Sequence, residues 1–137
     1  MLMFSCESST LKVLVVDDHE LTRLTLKLAF SGQENIQVVG LASNGQEAIE
    51  MVINHHPDVI ILDLQMPVMD GWIASGHIKA ISPHTQILAY SSVEDAHLLD
   101  RNTTPNFDDV CKKDVPTKEL IALVRQLGQR AGNASAA

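Results

Sequence analysis

Residues 13–20 read VLVVDDHE, four apolar residues that end abruptly in two adjacent carboxylates, Asp17 and Asp18. A run such as Val13-Leu14-Val15-Val16 suits a strand buried on both faces, the kind found inside parallel sheets. Two like charges at its end repel one another, and partial burial raises that cost. Something positive is therefore expected beside them.

The rest of the chain repeats this pattern of short apolar runs and helical stretches. Strands are predicted over Lys12–Val16, Ile36–Ala42, Val59–Leu62, Gln86–Tyr90 and Val110–Cys111. Leu21, Leu24 and Leu28 fall at i, i+3, i+7 on one face of a helix. Ala48, Ile49, Val52 and Ile53 form a second stripe, opened by the turn pair Asn44-Gly45. A third helix is predicted from about Gly71 to Ile81, stopped before Pro83, and a short one over Val93–Arg101. The last helix runs through Leu120, Ile121, Val124 and Leu127, with Asp114 or Thr117 as N-cap and Pro116 in its first turn. Strand and helix alternating in this way imply an α/β domain with a parallel sheet covered on both faces.

Composition narrows the classes. A chain of 137 residues makes one domain with a core of its own, and 45% hydrophobic against 20% charged residues argues against disorder. The formal charge is -7, and no window is rich in Lys or Arg, so no nucleic-acid surface is expected. No run approaches the roughly 20 apolar residues of a membrane span. Cys6 and Cys111 have neither metal spacing nor a disulfide framework, which fits reduced thiols in a cytoplasmic protein. Met1–Cys6 is too short for the apolar region of a signal peptide. A disordered leader is expected over residues 1–10, the domain over 11–130 and a flexible tail over 131–137.

In a parallel sheet, ligands bind beyond the carboxyl ends of the strands. Asp17 and Asp18 follow the first strand and Asp63 follows the third, VIILD. These strands are neighbours if the sheet winds outward in both directions from the first. Any single Asp at a strand end is most simply a helix N-cap. Three acids at two converging strand ends are better explained by a hard divalent cation, with Mg2+ the usual choice where phosphates are handled. Ser91 and Ser92 end the fourth strand with hydroxyls, and Lys112 and Lys113 end the fifth with ammonium groups. Because side chains alternate along a strand, one lysine of the two is expected to face the site.

These residues give the chain its resemblance to the receiver domain of two-component response regulators, in the form of the NarL/LuxR-like branch. VVDDHELTR resembles the acidic-pair segment, and PDVIILDLQMPVMDG resembles the phosphorylation segment almost letter for letter. The resemblance runs from about Lys12 to Leu127. It implies a flavodoxin-like (CheY-like) fold of five parallel strands in the order 2-1-3-4-5, with helices on both faces. It also implies that Asp63 is the phosphoacceptor. Asp18, Asp63 and the Gln65 backbone carbonyl would hold Mg2+ directly, with Asp17 acting largely through water. Ser91 matches the family's hydroxyl position, and Lys113, 22 residues on, matches its lysine.

The implied partners are a sensor histidine kinase or phosphotransfer protein and a downstream output protein or a C-terminal DNA-binding domain outside this chain. A homodimer is compatible with the resemblance; nucleic acid and membrane are not expected partners of this chain. The implied activity is Mg2+-dependent self-phosphorylation and autodephosphorylation of a signalling domain rather than turnover of a substrate.

One block departs from the family pattern. In NTTPNFDDVCKKD, the turn before the fifth strand is Pro105-Asn106-Phe107-Asp108-Asp109, and Val110 stands where most receivers carry an aromatic residue. Asp114 replaces the usual proline after the lysine. Valine has one χ angle and cannot make the inward swing of that aromatic, so an atypical output switch is expected. Tyr90 is expected to face away from the site. The alternative reading is a pseudo-receiver that regulates a partner without phosphate. An aspartyl phosphohydrolase fits poorly, because its second acid would stand at position 65, which is Gln.

Overall fold

The computed structural model describes residues 10–92 and 106–136. Five parallel strands, β1 (Leu11–Val16), β2 (Ile36–Ala42), β3 (Val59–Asp63), β4 (Gln86–Ser91) and β5 (Asp109–Lys112), lie in the order β2-β1-β3-β4-β5. Helices α1 (Glu20–Ser31), α2 (Gly45–His55), α3 (Gly71–Ile81) and α4 (Thr117–Ala136) complete the described elements. The doubly wound order expected from the resemblance is the order observed.

Alternation along the central strands builds two cores, one on each face of the sheet. Val13, Val15, Val59 and Ile61 pack with Phe30 of α1 and Leu127 of α4. Leu14, Val16, Ile60 and Leu62 pack with Val52 of α2 and Ile78 of α3. Every residue of β3 is buried, so this strand shows no polar alternation in sequence. Each fully buried Leu, Ile or Val contributes roughly 1.5–3 kcal/mol.

Local chemistry fixes where the helices start. Asn44 caps α2 by accepting a hydrogen bond from the Glu47 N–H at 2.9 Å, while Glu47 Oε1 accepts from both the N–H and the hydroxyl of Ser43 at 2.8 Å. These bonds hold the Glu47 carboxyl below its ordinary pKa. Asp70 caps α3 by accepting from the Ile73 N–H at 2.9 Å.

Three expectations need adjustment. Leu21, Leu24 and Leu28 do form one stripe on α1, but it faces outward, with exposures of 78%, 44% and 76%. The face turned to the sheet carries Leu26 and Phe30 instead. At 3.6 residues per turn the two stripes lie about 170° apart, so periodicity finds both but cannot say which one the sheet covers. In α4 the helical backbone continues to Ala136, past the boundary drawn at residue 130. Tyr90 does not point clear of the site, because the Lys113 ammonium lies 5.8 Å from its ring centroid. The leader, apart from its last residue, and the helix expected over Val93–Arg101 lie outside the described residues.

Candidate functional site

Three strands deliver the site at their carboxyl ends. β1 presents Asp17 and Asp18, and its neighbour β3 ends in Asp63. Lys113 follows β5 and reaches back across the sheet end. Its ammonium lies 2.8 Å from Asp17 Oδ2 and 3.2 Å from Asp63 Oδ1. This is the positive charge that the sequence of β1 calls for. Lys112 is exposed, so one lysine of the pair faces the acids.

Asp17 and Asp63 are both buried, with exposures of 1% and 3%. Burial first, and the Asp17 carboxylate second, push Asp63 up to about 6, against the pull of the Lys113 ammonium. For Lys113, burial works against the charge, but hydrogen bonds and attraction from Asp17 and Asp63 outweigh it and hold its pKa above the ordinary value. The lysine stays a cation, and Asp63 is ionised at neutral pH.

A cavity of about 420 Å³ opens over these groups, walled by Asp18, His19, Asp63, Gln65, Met66, Ser92 and Lys113. Ser91 lies behind this wall, fully buried, and its hydroxyl makes no hydrogen bond; Asp63 Oδ2 is likewise buried and without one. Two unpartnered buried oxygens at neighbouring strand ends are costly unless something bonds to them. Ligand atoms from Asp17, Asp18, His19 and Asp63 all lie within 4.8 Å of one another. Such a donor set, rich in hard oxygen, fits a small divalent cation.

His19, a residue with no role expected from the sequence, joins the site. Its Nδ1 lies 3.0 Å from Asp17 Oδ1 and 3.1 Å from Asp18 Oδ1. The available signal was adjacency to two acids, which alone does not say that the ring folds back onto them. Arg23, one turn along α1, donates to the Asp17 backbone carbonyl and so steadies the acid pair.

The loop after Asp63 is held under strain. Val68 has φ 70°, and the Met69 N–H donates to the Pro67 carbonyl at 2.7 Å, which makes a γ-turn of the rare positive-φ kind. Gly71 then passes so close to β3 that a Cβ there would lie within hard contact of the Asp63 carbonyl oxygen. Its N–H donates to the Leu64 carbonyl at 2.9 Å, which locks the loop onto the strand end.

The unusual segment before β5 is anchored rather than loose over its described residues. Phe107 meets Trp72 edge to face at 5.5 Å. Asp108 accepts from the Ile87 N–H at 2.7 Å and pairs with the Lys79 ammonium of α3 at 2.7 Å. Val110 is 39% exposed on the four-residue edge strand β5.

The response regulator receiver domain family model matches residues 13–125. The oxygen regulatory protein NreC of Staphylococcus epidermidis is 34% identical over 120 residues, covering 87% of this chain and 55% of that protein. A protein-glutamate methylesterase/protein-glutamine glutaminase of Pseudomonas fluorescens is 40% identical over 120 residues, covering 80% of this chain and 32% of that protein. The chain thus spans about half the length of the first relative and a third of the second. Among solved structures, the receiver domain of NarL from Mycobacterium tuberculosis superposes with a TM-score of 0.79 at 28% identity, covering 88% of this chain and 98% of that one. The response regulator domain of Thermotoga maritima CheB gives 0.76 at 29% identity, over 88% and 97%.

Proposed function

This chain belongs to the response regulator receiver domain family, and from that premise we propose that Asp63 is its phosphoacceptor. Membership makes the chain a phosphoacceptor module of two-component signalling. The observation that carries the assignment to Asp63 is its place in the cavity wall beside the Lys113 ammonium, with its buried Oδ2 left without a partner.

Asp18 and Asp63, with the Gln65 backbone carbonyl, would hold Mg2+, and Asp17 would act largely through water. When bound, the ion supplies positive charge to the phosphoryl oxygens. A carboxylate oxygen of Asp63 attacks the phosphorus in line with the leaving group. The new O–P bond forms as the bond to the donor breaks, and the departing group keeps the electron pair. Little covalent help is needed in such a transfer; alignment and charge stabilisation dominate. Lys113 neutralises charge on the equatorial oxygens, the Ser91 hydroxyl donates to one of them, and backbone N–H groups near Leu64 assist. The acyl phosphate adds roughly -1.5 to -2 charges, by analogy with other phosphorylated side chains. It draws Ser91 and Lys113 toward it and biases the loops behind them.

The physiological donor would be a histidine kinase or phosphotransfer protein. Its reacting group has to enter at the mouth of the cavity, where α1 begins. The outward Leu21, Leu24 and Leu28 stripe runs from that mouth and offers the donor an apolar helical face. The output would be a change of protein contacts, through a further domain or a separate partner. Among the described residues no helix is long and apolar enough to cross a membrane. The acids and Lys113, which a phosphate-independent module would not need, are gathered within bonding reach of one another, and this supports the phosphoacceptor reading over the pseudo-receiver.

The test is intact mass after incubation with acetyl phosphate, with and without Mg2+, beside Asp63→Asn. One phosphoryl group on the wild type only, and only with Mg2+, is the expected result. Full labelling of Asp63→Asn would move the acceptor elsewhere.

A further inference from the structure

We propose that His19 is a ligand of the cation pocket, which makes this receiver a site for borderline first-row divalent ions as well as for Mg2+. The inference rests on the reading that the pocket holds a divalent cation.

His19 occupies the N-cap position of α1, yet its ring makes no capping hydrogen bond to the helix. It turns back over the acids instead, with Nδ1 at 3.0 Å from Asp17 Oδ1 and 3.1 Å from Asp18 Oδ1. Two adjacent ligands of a six-coordinate ion, each about 2.1 Å from the metal, stand about 3 Å apart. The imidazole nitrogen already stands at ligand-to-ligand spacing from Asp18 Oδ1, the carboxylate that would hold the ion directly. Without an ion the same spacing is a hydrogen bond from the ring to Asp17 Oδ1. Asp63, whose side chain is 5% exposed, lines the same cavity and keeps Oδ2 without a partner.

Donor chemistry sets the class of ion. Carboxylates, carbonyls and water suit Mg2+, which gains little from a nitrogen ligand. Imidazole suits Ni2+, Zn2+ and their neighbours, and affinity at mixed nitrogen and oxygen sites rises from Mn2+ through Co2+ to Ni2+. A pocket with Asp17, Asp18 and Asp63 alone would favour hard ions; His19 adds the nitrogen that changes this preference. At 68% exposed, the ring contributes little to the core, so it can be replaced without harm to the fold.

The test is calorimetric titration of the whole chain with Ni2+ and, separately, with Mg2+, in wild type, His19→Ala and Asp18→Asn. His19→Ala is expected to weaken Ni2+ about tenfold or more, the scale on which ligand-shell changes act, and Mg2+ by less than twofold. Asp18→Asn should weaken that same Ni2+ event, which places it in this pocket rather than at the His55-His56 pair. Equal weakening of both ions by His19→Ala would make the ring a positioning group for the acids and overturn the proposal. Ni2+ binding that ignores either substitution would overturn it too, while leaving the phosphoacceptor site standing. Absence of Mg2+ binding in the wild type would instead sink the cation pocket itself.

Discussion

The Lys113 ammonium lies 3.2 Å from Asp63 Oδ1 and leaves Asp63 Oδ2 buried with no hydrogen bond. One oxygen is thus neutralised while the other is left without a partner. Burial and the Asp17 carboxylate outweigh the lysine, so Asp63 sits at about 6 in the fold against 3.8 for an ordinary aspartate.

That shift has a definite consequence for stability in metal-free buffer. Between about pH 4 and pH 6 the folded state binds a proton at Asp63 that the unfolded chain has already released. Stability from this group is therefore full below the unfolded value and is lost as pH rises through about 6. Asparagine mimics the neutral acid, so with EDTA present Asp63→Asn should melt above the wild type at pH 7.5. The gap should close toward pH 4, measured by thermal unfolding at both pH values. A gap that widens toward acid would contradict the assignment of burial as the dominant cause.

Gly71→Ala should destabilise the domain by roughly 2 kcal/mol or more, as overpacking does. The added Cβ has to displace the backbone at Asp63 and Leu64, since the atoms it meets are main chain rather than a flexible side chain. Labelling by acetyl phosphate should slow with it, because Asp63, the proposed acceptor, is moved. Urea midpoints together with intact-mass time courses measure both effects. Unchanged values in the two assays would mean that the loop has another way to pass β3.

Val68 carries the opposite expectation. A β-branched residue at φ 70° is strained by about 1–3 kcal/mol, and its side chain is 82% exposed, so little burial is lost on removal. Against this, glycine costs about 0.4–1 kcal/mol through the unfolded chain. Val68→Gly should therefore stabilise the protein by roughly 1 kcal/mol in chemical denaturation. A loss of stability would show that Val68 makes contacts that outweigh the strain.

The two faces of α1 should behave in opposite ways. Leu21→Gln and Leu28→Gln, at positions 78% and 76% exposed, should each change stability by no more than about 0.5 kcal/mol. Phe30→Ala, fully buried, should cost about 3–5 kcal/mol. If the leucines serve the phosphodonor, the paired glutamine variant should keep full labelling by acetyl phosphate while transfer from a phosphorylated histidine kinase falls. Equal loss with both donors would place the defect in the site rather than in docking.

Much of this protein is legible in its sequence. Apolar runs such as Val59–Leu62 mark the buried strands because a strand covered on both faces has no polar position to show. Asp17, Asp18 and Asp63 stand out because a charge at the end of such a run needs a partner. A positive partner follows from the same electrostatics, the family resemblance singles out Lys113 from the Lys112-Lys113 pair, and the 15 residues from Pro57 to Gly71 carry the family.

Other features exist only once the chain is folded. Periodicity reveals a leucine stripe on α1, but the sheet settles that Leu26 and Phe30 go inward and the leucines stay out. Adjacency cannot say that His19 bends back onto Asp17 and Asp18, since a ring orientation is set by rotamers and neighbours. The positive φ of Val68 and the near contact of Gly71 with Asp63 come from closing one loop over one strand end. Alternation and charge are local properties, readable from residue order alone. Which face is covered, and which oxygen is left without a partner, depend on what arrives from elsewhere in the chain.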